Sequence, residues 1–170
     1  EQTLLRITYS KRNPYVQFLL AKIQAGLGHQ AQAESMLRDL VKKEPNMLEA
    51  WSELAFLLES RKDFAGALKI YEMLLPQDNA NASLWLRIVG LSLKMNDPTK
   101  ALSVAQQGPV SSAFRINAAL GFMEEGYPAE AETLLAELQK TPGAPEEGWY
   151  HLALAMVESR GAYKEADRKS

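Results

Sequence analysis

The chain of 170 residues repeats itself with a period of 34, and this repetition limits its fold more than any other feature. The residue numbers of Trp51 and Trp85 differ by one period, and columns of small or apolar residues follow the same spacing. These columns are Ala33, Ala67 and Ala101; Leu20, Leu54 and Ile88; and Ala21, Ala55 and Val89. Such a period predicts a stack of similar units, each too small to bury its apolar face alone.

The period shortens once, by four residues, in the second half of the chain. The residue numbers of Ala101 and Ala131 differ by 30 rather than 34. Because four residues are close to one α-helical turn of about 3.6 residues, this loss shortens a helix without turning its apolar stripe away from the core. We therefore expect the helix that begins at Pro98 and ends before Gly108 to be about one turn shorter than its counterparts.

The best-preserved repeat carries a recognisable pattern of residues. It reads Trp51-x2-Leu54-Ala55-x2-Leu58, followed by Ala67, Tyr71 and Leu74. This sequence resembles the tetratricopeptide repeat, whose pattern on a 34-residue period is W-x2-L-G-x2-Y and then A, F and P. The resemblance implies an all-α fold, a right-handed superhelical solenoid of antiparallel helix pairs. It is weaker after residue 108, where Arg115 stands in the tryptophan column.

The repeat boundaries predict one such array over residues 1–170. We expect full repeats at about 14–47, 48–81, 82–111 and 112–145, with partial repeats at 1–13 and 146–170. Their helices are expected at about 14–27 with 30–43, 48–61 with 64–75, 82–95 with 98–107, and 112–125 with 128–140. Because both ends cut through a repeat and solenoids normally close with polar capping helices, we expect a piece of a longer array.

No pattern for catalysis or metal binding stands out in the sequence. The chain has no cysteine, and His29 and His151 lie in different repeats without a metal-type partner. Adjacent carboxylates such as Glu124 and Glu125 point about 100° apart on a helix, so they do not share a target. Trp51 and Trp85 occupy a consensus column and are interpreted as packing residues. The sequence therefore predicts no enzyme, no catalytic residue, no metal and no cofactor.

Charge and hydropathy argue against two classes of partner. The 19 Lys and Arg nearly balance the 21 Asp and Glu, so the chain lacks the basic field of a general nucleic-acid binder. No apolar run approaches the roughly 20 residues that cross a bilayer. We expect no nucleic-acid partner and no direct membrane insertion. The lack of cysteine is compatible with a periplasmic or a cytoplasmic location and does not distinguish them.

The resemblance also implies where a partner binds. In similar arrays the first helices line a concave groove, and the residues that flank the tryptophan column face into it. The expected groove residues are mostly apolar: Phe18, Lys22, Phe56, Leu86, Arg87, Leu93, Ile116, Asn117, Leu120, Met123, Tyr150 and Leu154. A clamp for a C-terminal carboxylate, as in chaperone-binding members of the family, is disfavoured because only Arg87 and Asn117 are of the clamp type.

By resemblance, the chain is a non-catalytic scaffold that binds a partner protein or peptide segment through this groove and helps to assemble a larger complex. An amphipathic helix laid into the groove is the expected binding mode. A second interpretation stays open, in which the apolar face is covered by the chain itself or by a second copy in a homo-oligomer. For the wider role, the alternative is the periplasmic scaffold arm of a bacterial outer-membrane secretion or exopolysaccharide export protein.

Overall fold

The computed structural model describes residues 13–139, which form a succession of α-helices with one short 3-10 turn and no strand within that range. The helices are α1 (Pro14–Gly26), α2 (Gln30–Lys43), α3 (Leu48–Ser60), α4 (Phe64–Leu74), α5 (Ala82–Lys94), α6 (Pro98–Gln107), α7 (Ser112–Glu125) and α8 (Pro128–Gln139). All eight agree with the expected helices to within one residue. The partial repeats expected at the two ends lie outside the described residues, except for Asn13.

Capping side chains fix where several helices begin. Asp63 and Asp97 hold the same position in successive repeats, directly before α4 and α6. The Oδ1 of Asp63 accepts a hydrogen bond from the backbone N–H of Gly66 at 2.9 Å, and that of Asp97 accepts one from Lys100 at 3.0 Å. Each bond satisfies a donor that the first helical turn leaves without a partner, which is worth about 1 kcal/mol.

The turn inside each helix pair has the same backbone conformation. A residue with positive φ stands two positions before each second helix, and these residues are Gly28, Lys62, Asn96 and Gly126, with φ of 84°, 64°, 58° and 90°. Their residue numbers differ by 34, 34 and 30, so they reproduce both the period and its single shortening. The backbone therefore repeats as the side chains do, which the sequence columns alone did not show.

The alanine column occupies equivalent positions in successive helix pairs. Its members Ala33, Ala67, Ala101 and Ala131 are each the fourth residue of a second helix and are fully buried. The backbone N–H of each donates to the carbonyl of the residue that precedes its helix, at 3.0, 3.0, 3.1 and 3.3 Å. A side chain of one methyl group at this point lets the two helices of a pair approach closely. The interpretation of the period as a helix-pair repeat is confirmed.

The chain divides into two compact modules, Glu1–Pro76 and Gln77–Ser170, here called the N-terminal and C-terminal modules. In the N-terminal module α1 packs on α2, α3 on α4, and α3 also on α2. In the C-terminal module α5 packs on α6 and α7 on α8, and the two first helices, α5 and α7, pack directly on each other. The buried core of this module includes Val89, Leu93, Phe122, Leu134 and Leu135.

The shortened repeat lies in the C-terminal module. Helix α6 has 10 residues, against 14 in α2, whereas α4 has 11 and continues into a 3-10 turn at Leu75–Gln77. Gly108 follows α6 directly, and a methyl group on its α-carbon would overlap the ring of Phe114. The chain thus enters α7 so soon after α6 that only glycine leaves room for that ring.

Three residues of the tryptophan column, one in each of three successive repeats, donate a hydrogen bond to a backbone carbonyl group. The indole N–H of Trp51 donates to the carbonyl of Pro45 at 2.9 Å, and that of Trp85 donates to Asn79 at 2.7 Å. After the shortened repeat, Arg115 takes the column position and its Nη2 donates to the carbonyl of Gln106 at 2.8 Å. Each donor ties a first helix to the chain segment before it, which supports the structural interpretation of this column.

Candidate functional site

An open cleft of about 340 Å³ lies between α5 and α7 in the C-terminal module. Eight residues of these two helices line it: Leu86, Val89, Gly90, Asn117, Ala118, Leu120, Gly121 and Glu124. Its volume is at the lower end of the roughly 300 to 1,000 Å³ that small-ligand sites occupy. The cleft is therefore large enough for a few side chains and too small for a folded domain.

Two glycines, one from each helix, form part of the cleft surface. Gly90 lies inside α5 and Gly121 lies inside α7, where glycine is less favourable than alanine by about 0.5 to 1 kcal/mol. A methyl group on either α-carbon would meet no atom within 4 Å. By contrast, a methyl group on Gly66 or Gly108 would collide with a neighbouring side chain. Packing against the buried ring of Phe114 thus requires glycine at 108, while at 90 and 121 the effect of glycine is to leave space open.

The cleft rests on a closely packed base. Val89 and Ala118 line it and also belong to the hydrophobic core of the C-terminal module, with 2% and 1% of their surfaces exposed. Leu86 and Leu120 are half-buried and line it as well. Because the base is part of the core and the remaining lining is carried by two packed helices, the cleft offers a preformed apolar surface.

Polar groups mark two points along the cleft. The exposed side chain of Asn117 is held by its own helix, since its Nδ2 donates to the carbonyl of Ala113 at 2.8 Å. Glu124 lies seven residues further along α7, a distance of about 10.5 Å along the helix axis. The carboxylate stands in the last turn of α7, which contains no basic residue. The cleft is therefore apolar between these two points and negative at one end.

The corresponding place in the N-terminal module is closed. Lys22 stands two periods before Gly90, and Glu53 is the repeat counterpart of Asn117 once the four-residue loss is included. The Nζ of Lys22 lies 3.3 Å from Oε2 of Glu53 and 5.5 Å from the ring centre of Phe18. The salt bridge thus spans the gap between α1 and α3 where the C-terminal module has its cleft, and the cation–π contact within α1 places the lysine over the ring of Phe18.

The cleft brings together Leu86, Asn117 and Leu120 from the residues expected to form a groove. Arg87 is exposed on α5 and does not line the cleft. Ile116 is half-buried and packs against the core of the C-terminal module. Phe56 and Lys22 belong to the N-terminal module, where Phe56 exposes 52% of its surface and Lys22 is engaged as described.

Three of the expected groove residues need correction. Leu93 and Met123 are 1% and 5% exposed because their positions on α5 and α7 turn them into the core of the C-terminal module. Phe18 is 8% exposed, and Lys22 extends over its ring. None of the three presents an open surface to a partner. Tyr150 and Leu154 lie outside the described residues.

Five residues that line the cleft are not among the expected groove residues: Val89, Gly90, Ala118, Gly121 and Glu124. The available signal was the pair of glycines at 90 and 121, which interrupt helical segments without ending them. An interior glycine of this kind usually has a packing or functional reason. A groove estimate based on large apolar residues overlooks it, because the glycine contributes space rather than a side chain.

Neither a metal site nor a membrane-spanning helix is found among the described residues. Among residues 13–139, no group of three or more His, Asp or Glu side chains is arranged to hold a metal ion. No helix in the same range is both long and apolar enough to cross a bilayer.

Comparison with known proteins finds a family model that matches part of the chain and solved structures of the same fold. Residues 27–86 match the family model described as tetratricopeptide repeat. The crystal structure of YrrB, a TPR protein with an unusual peptide-binding site, aligns with 97% of the chain and 84% of its own length at 17% identity, with a TM-score of 0.63. No curated protein sequence matches the chain significantly.

Two further crystal structures extend this comparison. A tetratricopeptide repeat protein from Parabacteroides merdae aligns at 18% identity over 91% of the chain and 63% of its own length, with a TM-score of 0.64. MamA aligns at 15% identity over 95% of the chain and 87% of its own length, with a TM-score of 0.61. At these identities the structures establish a shared fold.

Proposed function

Because residues 27–86 match the tetratricopeptide repeat model and the chain shares the fold of solved proteins of that kind, we propose that it binds a peptide segment of a partner protein in the cleft between α5 and α7. Proteins of this family generally mediate protein–protein interaction, and the similar structure of YrrB is described as having a peptide-binding site. The fold is typically a non-catalytic interaction scaffold. In this proposal the chain contributes such a scaffold to a larger complex, and the cleft is its point of attachment.

The observation that carries the proposal is the pair of interior glycines in the cleft. Each lowers helix stability by about 0.5 to 1 kcal/mol relative to alanine, and neither is required by a neighbouring atom. Both open the same cleft from opposite helices. An arrangement that reduces stability at two points to keep one apolar surface accessible supports a binding role for that surface.

The dimensions and lining of the cleft favour a short apolar anchor. Burial of one large aliphatic or aromatic side chain is worth about 1.5 to 3 kcal/mol, so the cleft supplies an anchor point and flanking contacts add to it. A carboxylate-binding role is disfavoured, because the charged residue that lines the cleft is Glu124, itself an anion. The cleft therefore suits an apolar segment better than the C-terminus of a partner.

The proposal is tested by filling the cleft without disturbing the fold. A random dodecapeptide library displayed on phage is selected on the immobilised full chain, and enriched peptides are then measured by fluorescence anisotropy. We expect Gly90→Leu to weaken their binding at least tenfold, since the new side chain occupies open space. Gly26→Leu is the matched control, because it places the same side chain in open space in the N-terminal module.

The outcomes separate the proposal from its alternatives. Circular dichroism should show both variants to be as helical as the original chain. The absence of any enriched peptide, or equal binding by Gly90→Leu, would contradict the proposal. If Gly90→Leu instead dissociates an oligomer in size-exclusion chromatography with light scattering, the cleft is an interface between copies, and the peptide-binding proposal is wrong.

A further inference from the structure

We infer that the segment bound in this cleft carries a basic side chain one helical turn from its apolar anchor, and that Glu124 pairs with this cation. The inference rests on the proposed function and specifies the chemistry of the partner. Glu124 is the one charged residue among the eight that line the cleft. The remaining lining is apolar except for the amide of Asn117.

The spacing along α7 defines the pattern that the partner must match. Glu124 lies four residues after Leu120, so both side chains fall on the same face of the helix, about 6 Å apart along its axis. Gly121 lies between them and leaves the surface open. In a helical partner, an anchor at Leu120 and a cation at Glu124 are likewise separated by three or four residues.

The end of α7 beside the cleft carries negative charge that no basic residue of its own last turn offsets. The carbonyl groups at a helix C-terminus give it a partial negative charge, which favours cations and disfavours carboxylates. Helix α7 instead ends in Glu124 and Glu125, and its last turn has no basic residue. Neither carboxylate forms an ion pair with another side chain of residues 13–139. A cation from the partner would therefore interact favourably with both the carboxylate and the helix end.

The basic residues of the opposite helix do not change this conclusion. Arg87 and Lys94 belong to α5, and neither lines the cleft. An acidic partner segment would have to place its charge beside Glu124 at the end of the cleft, where like charges repel. The cleft thus favours a segment that is apolar and basic over one that is apolar and acidic.

The experiment uses the peptides selected on the full chain and asks about their charge. We expect the enriched sequences to place Lys or Arg three or four residues from a large apolar residue. A selected peptide is then synthesised with Arg, Gln or Glu at that position and titrated against the original chain. Because the pair is solvent-exposed, the Arg form should bind about fivefold more tightly than the Gln form at low salt, and the advantage should shrink at high salt.

Substitutions of Glu124 test whether its carboxylate causes the preference for a basic residue in the peptide. We expect Glu124→Gln to remove the preference for Arg over Gln, and Glu124→Lys to reverse the preference between Arg and Glu. Glu132→Gln is the matched control, because it removes an exposed carboxylate from α8 without touching the cleft. It should retain the original preference.

Failure of the inference differs from failure of the proposed function. If Gly90→Leu abolishes binding but the Arg, Gln and Glu peptides bind equally well, the cleft is a binding site and the inferred basic partner is wrong. The inference is also wrong if Glu124→Gln keeps the full preference for Arg. If no peptide is enriched, or if the enriched peptides bind Gly90→Leu unchanged, the proposed function fails and the inference fails with it.

Discussion

The two modules use the same repeat positions to opposite effect. Between α1 and α3 of the N-terminal module, Lys22 bridges to Glu53 and covers the ring of Phe18. Between α5 and α7 of the C-terminal module, glycine and asparagine stand at the positions of Lys22 and Glu53, and an open cleft results. One pair of first helices is bridged by its own side chains, and the other pair has an open cleft between them.

This difference shows that a repeat position has a fixed place but not a fixed role. The helix pairs place position 22 and position 90 at the same point of a first helix. The side chain then decides whether that point is bridged or empty. Binding capacity in such an array therefore cannot be read from the repeat consensus, which describes packing between helices and leaves the inner positions free to vary.

The largest effect is expected from the glycine that packing does require. Gly108→Ala introduces a methyl group that overlaps the ring of Phe114, so we expect a loss of about 2 to 3 kcal/mol of stability in the C-terminal module. Hydrogen exchange measured by mass spectrometry on peptides from α6 and α7 reports this module separately. An unchanged exchange rate would show that the junction after the shortened helix adjusts freely.

A second prediction converts the open cleft into the closed form. The double substitution Gly90→Lys and Asn117→Glu should rebuild the salt bridge of the N-terminal module and weaken binding of selected peptides at least tenfold, equivalent to about 1.4 kcal/mol. Fluorescence anisotropy measures the affinity. The matched control is Lys22→Ala with Glu53→Ala, which removes the original bridge and should leave peptide affinity unchanged. If both double variants bind the peptides with equal affinity, the open cleft is not the peptide-binding site.

A third prediction concerns the stability lost at the open cleft. We expect Gly90→Ala and Gly121→Ala each to stabilise the C-terminal module by about 0.5 to 1 kcal/mol, because alanine favours the helix and its methyl group meets no other atom. Urea unfolding, followed by the same hydrogen-exchange peptides, gives the change. Destabilisation by either substitution would mean that the glycine has a packing role after all.

The smallest effect is expected from the closed module. A double-mutant cycle on Lys22 and Glu53 should give a coupling free energy of about 0.2 to 1 kcal/mol, since the lysine side chain is 48% exposed. The coupling should decrease as salt is raised, because exposed charges are screened. A coupling that is insensitive to salt would indicate that packing against Phe18 holds this contact together.

The sequence predicts the helices well because their ends carry local signals. Pro14, Pro98 and Pro128 are the first residues of three helices, and Asp63 and Asp97 cap α4 and α6. Helix bounds depend on backbone groups within one turn of the signal, so local residue types are sufficient to place them. The four-residue loss is equally visible, since it shifts every later column by the same amount.

The candidate site was harder to predict. Leu93 and Met123 belong to the same helical stripe as the groove residues, yet the packing of α6 and α8 buries them. The helical period predicts only which broad face of a helix a side chain lies on. The packing of neighbouring helices decides which residues of that face are buried. Gly90 and Gly121 were not predicted as site residues because the prediction looked for large apolar side chains, whereas these glycines form the cleft by lacking a side chain.

The sequence by itself determined the repeat, its single shortening, the helix ends and the alanine positions where helices approach, because all of these follow from local backbone chemistry and periodic burial. Only the tertiary structure decided which inner surface is open. That outcome depends on whether side chains from two different first helices meet across the gap between them. Lys22 and Glu53 meet across it, whereas the cleft over Gly90 and Gly121 remains open.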